Sequence, residues 1–169
     1  METSVIYFAK LRSDAIIPSK REEDAGFDVY PCLLEDMLCI PPMQTLIVPT
    51  GIVSAFPAGY YFQIQERGST GTRGIAKRCG VIDSGYRGEW FLSTSNLNPV
   101  PLYIAKPFLR EALEKQAEKE RFIVHYTDKA IAQAIFLQLP PLEIRELSAE
   151  ELLSIPSLRG AGKLGSSNK

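Results

Sequence analysis

Four glycine-bearing segments hold the residues that could do chemistry: Asp24-Ala-Gly-Phe-Asp28, Glu66-Arg-Gly-Ser-Thr-Gly-Thr-Arg-Gly74, Gly80-Val-Ile-Asp-Ser-Gly-Tyr-Arg-Gly88 and Arg159-Gly-Ala-Gly-Lys-Leu-Gly-Ser-Ser167. Glycine permits close backbone approach and positive φ, so main-chain N–H groups can line a concave anion nest. Arg67 and Arg159 can add bidentate phosphate recognition, and the Ser and Thr hydroxyls are further donors. Taken singly, each segment also reads as an ordinary loop, with Asp28 and Asp83 as turn residues accepting local backbone bonds.

The charge balance narrows the partner. Nineteen Lys and Arg against 20 Asp and Glu leave a formal net charge of -1, too little for the broad cationic field that duplex DNA or anionic lipid requires. A small anion fits better, held by a local cluster of donors; no nucleic acid and no membrane are expected. Cysteines at 32, 39 and 79 form no C-x-x-C pair, and His125 is the sole histidine. A Cys/His zinc site is therefore disfavoured and a reducing, cytoplasmic setting is expected. The chain opens without signal-peptide character, and no apolar run approaches the roughly 18 residues of a membrane span.

The elements that must position these residues read as mostly β. Short apolar or alternating runs at Val5–Ala9, Thr45–Val48, Gly51–Ala55, Tyr60–Gln65, Phe91–Thr94, Phe122–His125 and Ala130–Gln138 are cut by breakers at Pro41-Pro42, Pro57-Ala-Gly59 and Asp83-Ser-Gly85. This rhythm predicts an all-β sandwich or barrel in a chain of one-domain size. Two stretches depart from it. Pro107 to Glu120 predicts a surface helix, with Glu111 and Lys115 at i,i+4 and Leu109, Leu113 and Ala117 on a narrow apolar stripe. Ser148 and Glu151 form a capping box that predicts about two helical turns before Pro156. After Leu158 the composition reads as a flexible glycine-rich tail.

In this order and spacing the segments resemble the five motifs of the trimeric dUTPase family, including bacteriophage and Gram-positive bacterial types. DAGFD (24–28), ERGSTGTRG (66–74), GVIDSGYRG (80–88), AIAQAI (130–135) and RGAGKLGSS (159–167) match motifs one to five, the third being the most specific. The resemblance implies a jelly-roll-like β-barrel or sandwich over 1–158, with a helical insertion at about 99–126 and a phosphate-binding arm at 159–169. It also implies a homotrimer whose active sites lie between subunits: motifs one, two and four from one, the third from a neighbour, the fifth from the remaining one.

The implied reaction is hydrolysis of dUTP to dUMP and pyrophosphate by in-line attack of water on the α-phosphate. By this resemblance Asp83 holds and deprotonates the water, and Tyr86 lies against the deoxyribose and excludes a 2′-hydroxyl. Main-chain groups of a hairpin around Ile75 to Val81, with Gly80 and Ile82, read the uracil. Arg67, Gly68, Ser69, Arg159, Gly165, Ser166 and Ser167 hold the triphosphate. Gln133 either contacts the phosphates and their waters or is a buried amide bonded to backbone. Mg2+ is the implied cofactor, with Asp28 bonding its waters, since magnesium gives up hydration reluctantly.

The sequence departs from the family pattern in three places. Gly68 stands where a serine is usual, so Ser69 or the Gly68 amide takes over, or turnover is slower. Leu164 stands where a phenylalanine usually stacks on the base; either Trp90 or Phe91 supplies an aromatic lid, or both are ordinary strand aromatics. The 99–126 segment is longer than usual and is either a solvated insertion or a contact for a protein partner, as in some bacteriophage members. Two rival functions are a dCTP deaminase, which would need a glutamate where Ser93 stands, and a regulatory protein-binding module on the same scaffold.

Overall fold

The computed structural model describes residues 4–78, 80–158 and 160. Twelve short strands are present among them: β1 (Tyr7–Lys10), β2 (Gly26–Val29), β3 (Met37–Ile40), β4 (Thr45–Pro49), β5 (Ile52–Ala55), β6 (Tyr60–Glu66), β7 (Ile75–Lys77), β8 (Val81–Asp83), β9 (Phe91–Asn96), β10 (Leu102–Ala105), β11 (Ile123–Tyr126) and β12 (Ala132–Gln138). Helices are few and short: α1 (Gly68–Gly71), α2 (Arg110–Ala117, after a 3-10 turn at Pro107–Leu109) and α3 (Ala149–Ser154). The chain divides into a body, 1–139, and a C-terminal unit, 140–169.

Within the body the strands form sheets ordered β1-β5, β11-β10-β3, β2-β12-β6-β8 and β4-β9-β7. The largest positions the chemistry. Alternation sends Phe62, Ile64, Ile82, Ala132, Ala134 and Val29 inward, where all are buried. Phe62 is the hub of an aromatic cluster, with ring centroids 4.9 Å from Phe136, 5.0 Å from Trp90 and 5.2 Å from Phe56. Such edge-to-face packing adds to area burial, and truncating Phe62 to Ala should cost about 3–5 kcal/mol. The opposite face of the same sheet carries Asp28, Gln133, Gln65, Tyr61 and Asp83.

All seven strand-like runs predicted from alternation are strands, with ends moved by one or two residues. Five further strands, β2, β3, β7, β8 and β10, were not expected. Each is only three or four residues long, and several lie inside the glycine-rich motifs, where breakers mask the pattern.

The expected insertion at 99–126 is narrower in the structure. Leu102, Ile104 and Ala105 of β10 are fully buried, and β10 pairs with β3 antiparallel and with β11 in parallel. Only the crossover around α2 stands apart from the sheet. A parallel pair cannot be joined by a tight turn, so a helical crossover is its natural connection. Leu113 anchors α2, Leu109 is half-buried and Ala117 is exposed, so the expected stripe is shorter than drawn. Arg110 stacks over Tyr126 at 4.0 Å and bridges Asp128 at 3.2 Å, which pins the helix start to the end of β11.

In the C-terminal unit the Ser148 hydroxyl accepts from the Glu151 amide and the Glu151 carboxylate accepts from the Ser148 amide, the predicted capping box. No helix among the described residues is long and apolar enough to cross a membrane.

Candidate functional site

The first cluster is built on β2, β12 and the end of β6. Gln133 pairs directly with Asp28 on one side and with Gln65 on the other, so the side chains of Asp28 and Gln133 project from the same outer face. Arg67, the residue after β6, reaches back over this face: its Nε lies 2.9 Å from Asp28 Oδ1, and its Nη1 donates to the Ala130 carbonyl at 3.3 Å. The chain then turns into α1, and the buried Thr70 hydroxyl donates to the Ile131 carbonyl at 3.2 Å, tying the second motif to the strand that bears the fourth. A single helical turn stands here where a positive-φ nest was expected; of the motif's glycines only Gly74 has positive φ.

Gln133 donates from Nε2 to the Glu66 carbonyl at 2.8 Å, so it is bonded to backbone and faces the pocket as well. Gly26 is required by close approach: a Cβ there would sit 2.8 Å from Gln133 Oε1 and 3.1 Å from its Cβ. Asp28, Arg67, Gly68, Ser69 and Gln133 line an open polar cavity of about 910 Å³ with the Ser19–Gly26 segment. That segment escaped the sequence reading. Its charge-dense run Ser19-Lys-Arg-Glu-Glu-Asp24, directly before DAGFD, was the available signal.

The second cluster lies at the other edge of the sheet. Asp83 ends β8 opposite Tyr61, and its exposed carboxylate has no hydrogen-bond partner among the described residues. The Tyr86 amide donates to the Asp83 carbonyl at 3.1 Å, closing a turn that brings both residues to one small cavity. Val81, Ile82, Asp83, Tyr86, Glu89 and Phe91 line a small cavity of about 210 Å³. Phe91 is exposed here, whereas Trp90 is wholly buried and donates from Nε1 to the Ser54 hydroxyl at 3.0 Å. Trp90 is thus a core aromatic and not a lid. Core packing against Phe8 and Phe62 takes its ring inward.

The expected hairpin from Ile75 to Val81 is also different. β7 pairs with β9 and β8 pairs with β6, so the segment bridges two sheets and no ladder joins β7 to β8 among the described residues. The Ile64 amide donates to the Gly80 carbonyl at 2.6 Å. Glu66 fastens the bridge from the other side, accepting from the Lys77 amide at 2.6 Å. Burial draws the Lys77 amine down to about 7, against the opposing pull of Glu66. Its Nζ donates to the Thr94 hydroxyl at 3.0 Å.

The two clusters are far apart within one chain. Tyr61 and Gln65 are four residues apart on β6, roughly 13 Å, and three strand spacings from β2 to β8 add about 14 Å across. Asp83 and Asp28 are therefore on the order of 20 Å apart on one face. Arg159, Leu164, Gly165, Ser166 and Ser167 lie outside the described residues. No group of three or more His, Cys, Asp or Glu that could cage a metal occurs among the described residues. The cavity is lined by Asp28 on β2 and by Glu23 and Asp24 before it, Asp24 being paired with Arg21, and so sparse a donor set suits an ion held largely by phosphate oxygens and water.

The class that fold and site define is a β-rich domain with a guanidinium, carboxylates, an amide and a glycine-bearing turn around an open polar cavity. The particular family is given by comparison. The dUTPase family model matches residues 12–107. A deoxyuridine 5'-triphosphate nucleotidohydrolase of Wolinella succinogenes is 31% identical over 97% of this chain and 94% of its own length. That of Wolbachia pipientis from Culex pipiens is 31% identical over 87% and 82%. With the Leptospira interrogans protein of the same name the match is 35% identical but spans 54% of this chain and 66% of the relative.

The chain belongs to the dUTPase family. Among solved structures it resembles the dUTPase of Staphylococcus bacteriophage 80alpha with dUpNHpp, at a TM-score of 0.72 and 19% identity, over 98% of this chain and 99% of that one. It also resembles the EIAV dUTPase, at a TM-score of 0.59 and 22% identity, over 86% and 98%. These likenesses establish the dUTPase jelly-roll fold.

Proposed function

We propose that the protein hydrolyses dUTP to dUMP and pyrophosphate. The observation that carries this reading is the exposed Asp83 carboxylate beside Tyr86 in a member of the dUTPase family. In the reaction Asp83 takes the proton of the attacking water, a P–O bond forms at the α-phosphorus, and the bond to pyrophosphate breaks in line. General-base positioning of this kind contributes roughly 10²–10⁴-fold. Tyr86 excludes a 2′-hydroxyl, and main-chain groups from Gly80 to Ile82 read the base.

Arg67, Gln133, Ser69 and the Gly68 amide orient the triphosphate, joined by Arg159, Gly165, Ser166 and Ser167 of the arm; Leu164 gives apolar cover. Asp28 would hold magnesium through water, and the ion would neutralise phosphate charge. Holding the phosphates at Arg67 costs little reorganisation, because Asp28 and the Ala130 carbonyl already orient the guanidinium.

Since the two clusters are on the order of 20 Å apart on one chain, the complete site takes Asp83 from one copy and Asp28, Arg67 and Gln133 from another, in a homotrimer. Deamination of dCTP is disfavoured because Ser93, on β9 opposite Ile47, offers no carboxylate. The test is pyrophosphate release from dUTP. The wild type should turn over, and Asp83→Asn should lose roughly a thousandfold in kcat. A folded assembly inert towards dUTP overturns the reading in favour of a binding module on this scaffold.

A further inference from the structure

The loop from Asp83 to Glu89 is fastened from outside the five motifs. Arg12, two residues beyond β1, forks onto Glu89: Nη2 lies 2.6 Å from Oε1 and Nη1 3.4 Å from Oε2. The same Nη2 donates to the Cys32 carbonyl at 2.9 Å. Glu89 Oε1 accepts a further bond from the Gly51 amide at 2.7 Å.

The pair is largely enclosed, the side chains being 21% and 13% exposed. Burial opposes ionisation of Glu89 most strongly, yet the Arg12 hydrogen bond and the Gly51 amide outweigh it and hold the carboxyl below its ordinary range. Gly51 has φ +68, and a Cβ there would lie 2.8 Å from Ala15 Cβ and 3.1 Å from Arg12 Nη2, so the buckle leaves room for glycine alone.

What the buckle holds is Tyr86. The Tyr86 hydroxyl donates to the main-chain carbonyl of Glu89 at 2.9 Å, while its amide donates to Asp83. Tyr86 is thus tied through its main chain and through its hydroxyl, and the outer tie sits on the residue that Arg12 clamps. Trp90 continues the anchorage, its amide donating to Ile52 at 2.9 Å and its carbonyl accepting from the Thr50 hydroxyl at 2.7 Å. Glu89 itself lines the small cavity with Asp83 and Tyr86.

We infer that Arg12 and Glu89 are positioning residues that fix the Tyr86 ring beside Asp83 and so set the discrimination between deoxyribo- and ribonucleoside triphosphates. This rests on the proposed dUTP reaction. Loosening the buckle lets the ring swing from the place a 2′-hydroxyl would occupy, so UTP gains access while Asp83 keeps its chemistry.

The test compares Arg12→Met, Glu89→Gln and Tyr86→Phe, which breaks the outer tie alone. Arg12→Met and Glu89→Gln should each lower the ratio of kcat/KM for dUTP over UTP by about tenfold or more, with kcat for dUTP within about threefold, and Tyr86→Phe should lower the same ratio at least as far. The double variant Arg12→Met/Tyr86→Phe should be no worse than either single, because both cut one chain of contacts. Parallel losses for both nucleotides, or additive effects in the double variant, overturn the inference.

Hydrogen exchange at the Tyr86 and Gly51 amides gives a readout without any nucleotide. Exchange should quicken in Glu89→Gln while the Phe62 amide is unchanged, and unaltered protection at Tyr86 overturns the buckle. An inert wild type would sink the proposed reaction, and hydrogen exchange would still decide the clamp. If Arg12→Met fails to fold, Glu89→Gln, which keeps shape and volume, decides both measurements.

Discussion

The Arg67 cluster and the Asp83 cluster sit on the same face of one sheet and differ in how complete they are. Arg67 is paired with Asp28, and Arg67, Thr70 and Gln133 each donate to a carbonyl, of Ala130, Ile131 and Glu66 respectively. Asp83 ends a three-residue edge strand, with Tyr86 and Phe91 exposed beside it. The first is preorganised by its own strands. The second presents the Asp83 carboxylate and the exposed Tyr86 outward, on the order of 20 Å from the first. The difference teaches that one cluster is locked by its own strands while the other is left open, and under the proposed reading the two halves of the site come from different copies.

The strongest way to break this comparison is to mix two dead variants. Asp83→Asn and Arg67→Met should each abolish turnover, yet co-refolded chains should recover about a quarter of wild-type activity, as random assembly pairs one intact half with the other. No recovery would place both halves in one chain.

A smaller effect should come from Gly26→Ala, whose Cβ meets Gln133 at 2.8 Å. KM for dUTP should rise about tenfold through the displaced amide, with kcat less affected and stability changed by only about 1 kcal/mol. An unchanged KM would remove Gln133 from the phosphate half.

A separate effect concerns stability and leaves the comparison of the two clusters untouched. Burial, together with the positive charges of Arg73, Lys77 and Arg67, lowers His125 to about 4, against the opposing hydrogen bond to the Lys129 carbonyl. Between pH 6.5 and about 4 the unfolded chain takes up a proton that the folded chain refuses. Stability should therefore fall as pH falls through that window, by on the order of 3 kcal/mol. Urea midpoints across the window should show the slope in wild type and its flattening in His125→Phe. A slope that survives that substitution would assign it to other groups.

Much of the Arg67 cluster was legible as residue types. Arg67, Asp28 and Gln133 stand in segments whose glycines and flanking polarity mark them, and alternation along β6 and β12 is plain. The Ser19–Gly26 wall was missed because a run of charges ordinarily marks a solvated face. Trp90 and Phe91 were indistinguishable in sequence: adjacent strand residues point to opposite faces, and which one meets the core depends on register. The core strand β10 was hidden within the apparent insertion because four residues between prolines carry too short a period. Arg12 and Glu89 are 77 positions apart and belong to no motif, so no local pattern could join them.

What the sequence determined by itself was local: the capping box at Ser148, the helix after Pro107, the β-rich rhythm and the reactive groups carried by each glycine-bearing segment. These depend on neighbours within a few residues, where spacing and side-chain type decide the outcome. Tertiary structure alone decided that β8 and β2 take opposite positions in one sheet, that Trp90 turns inward, and that Arg12 clamps the Tyr86 loop. Those outcomes follow from pairings between distant strands, chosen by which faces can be buried together.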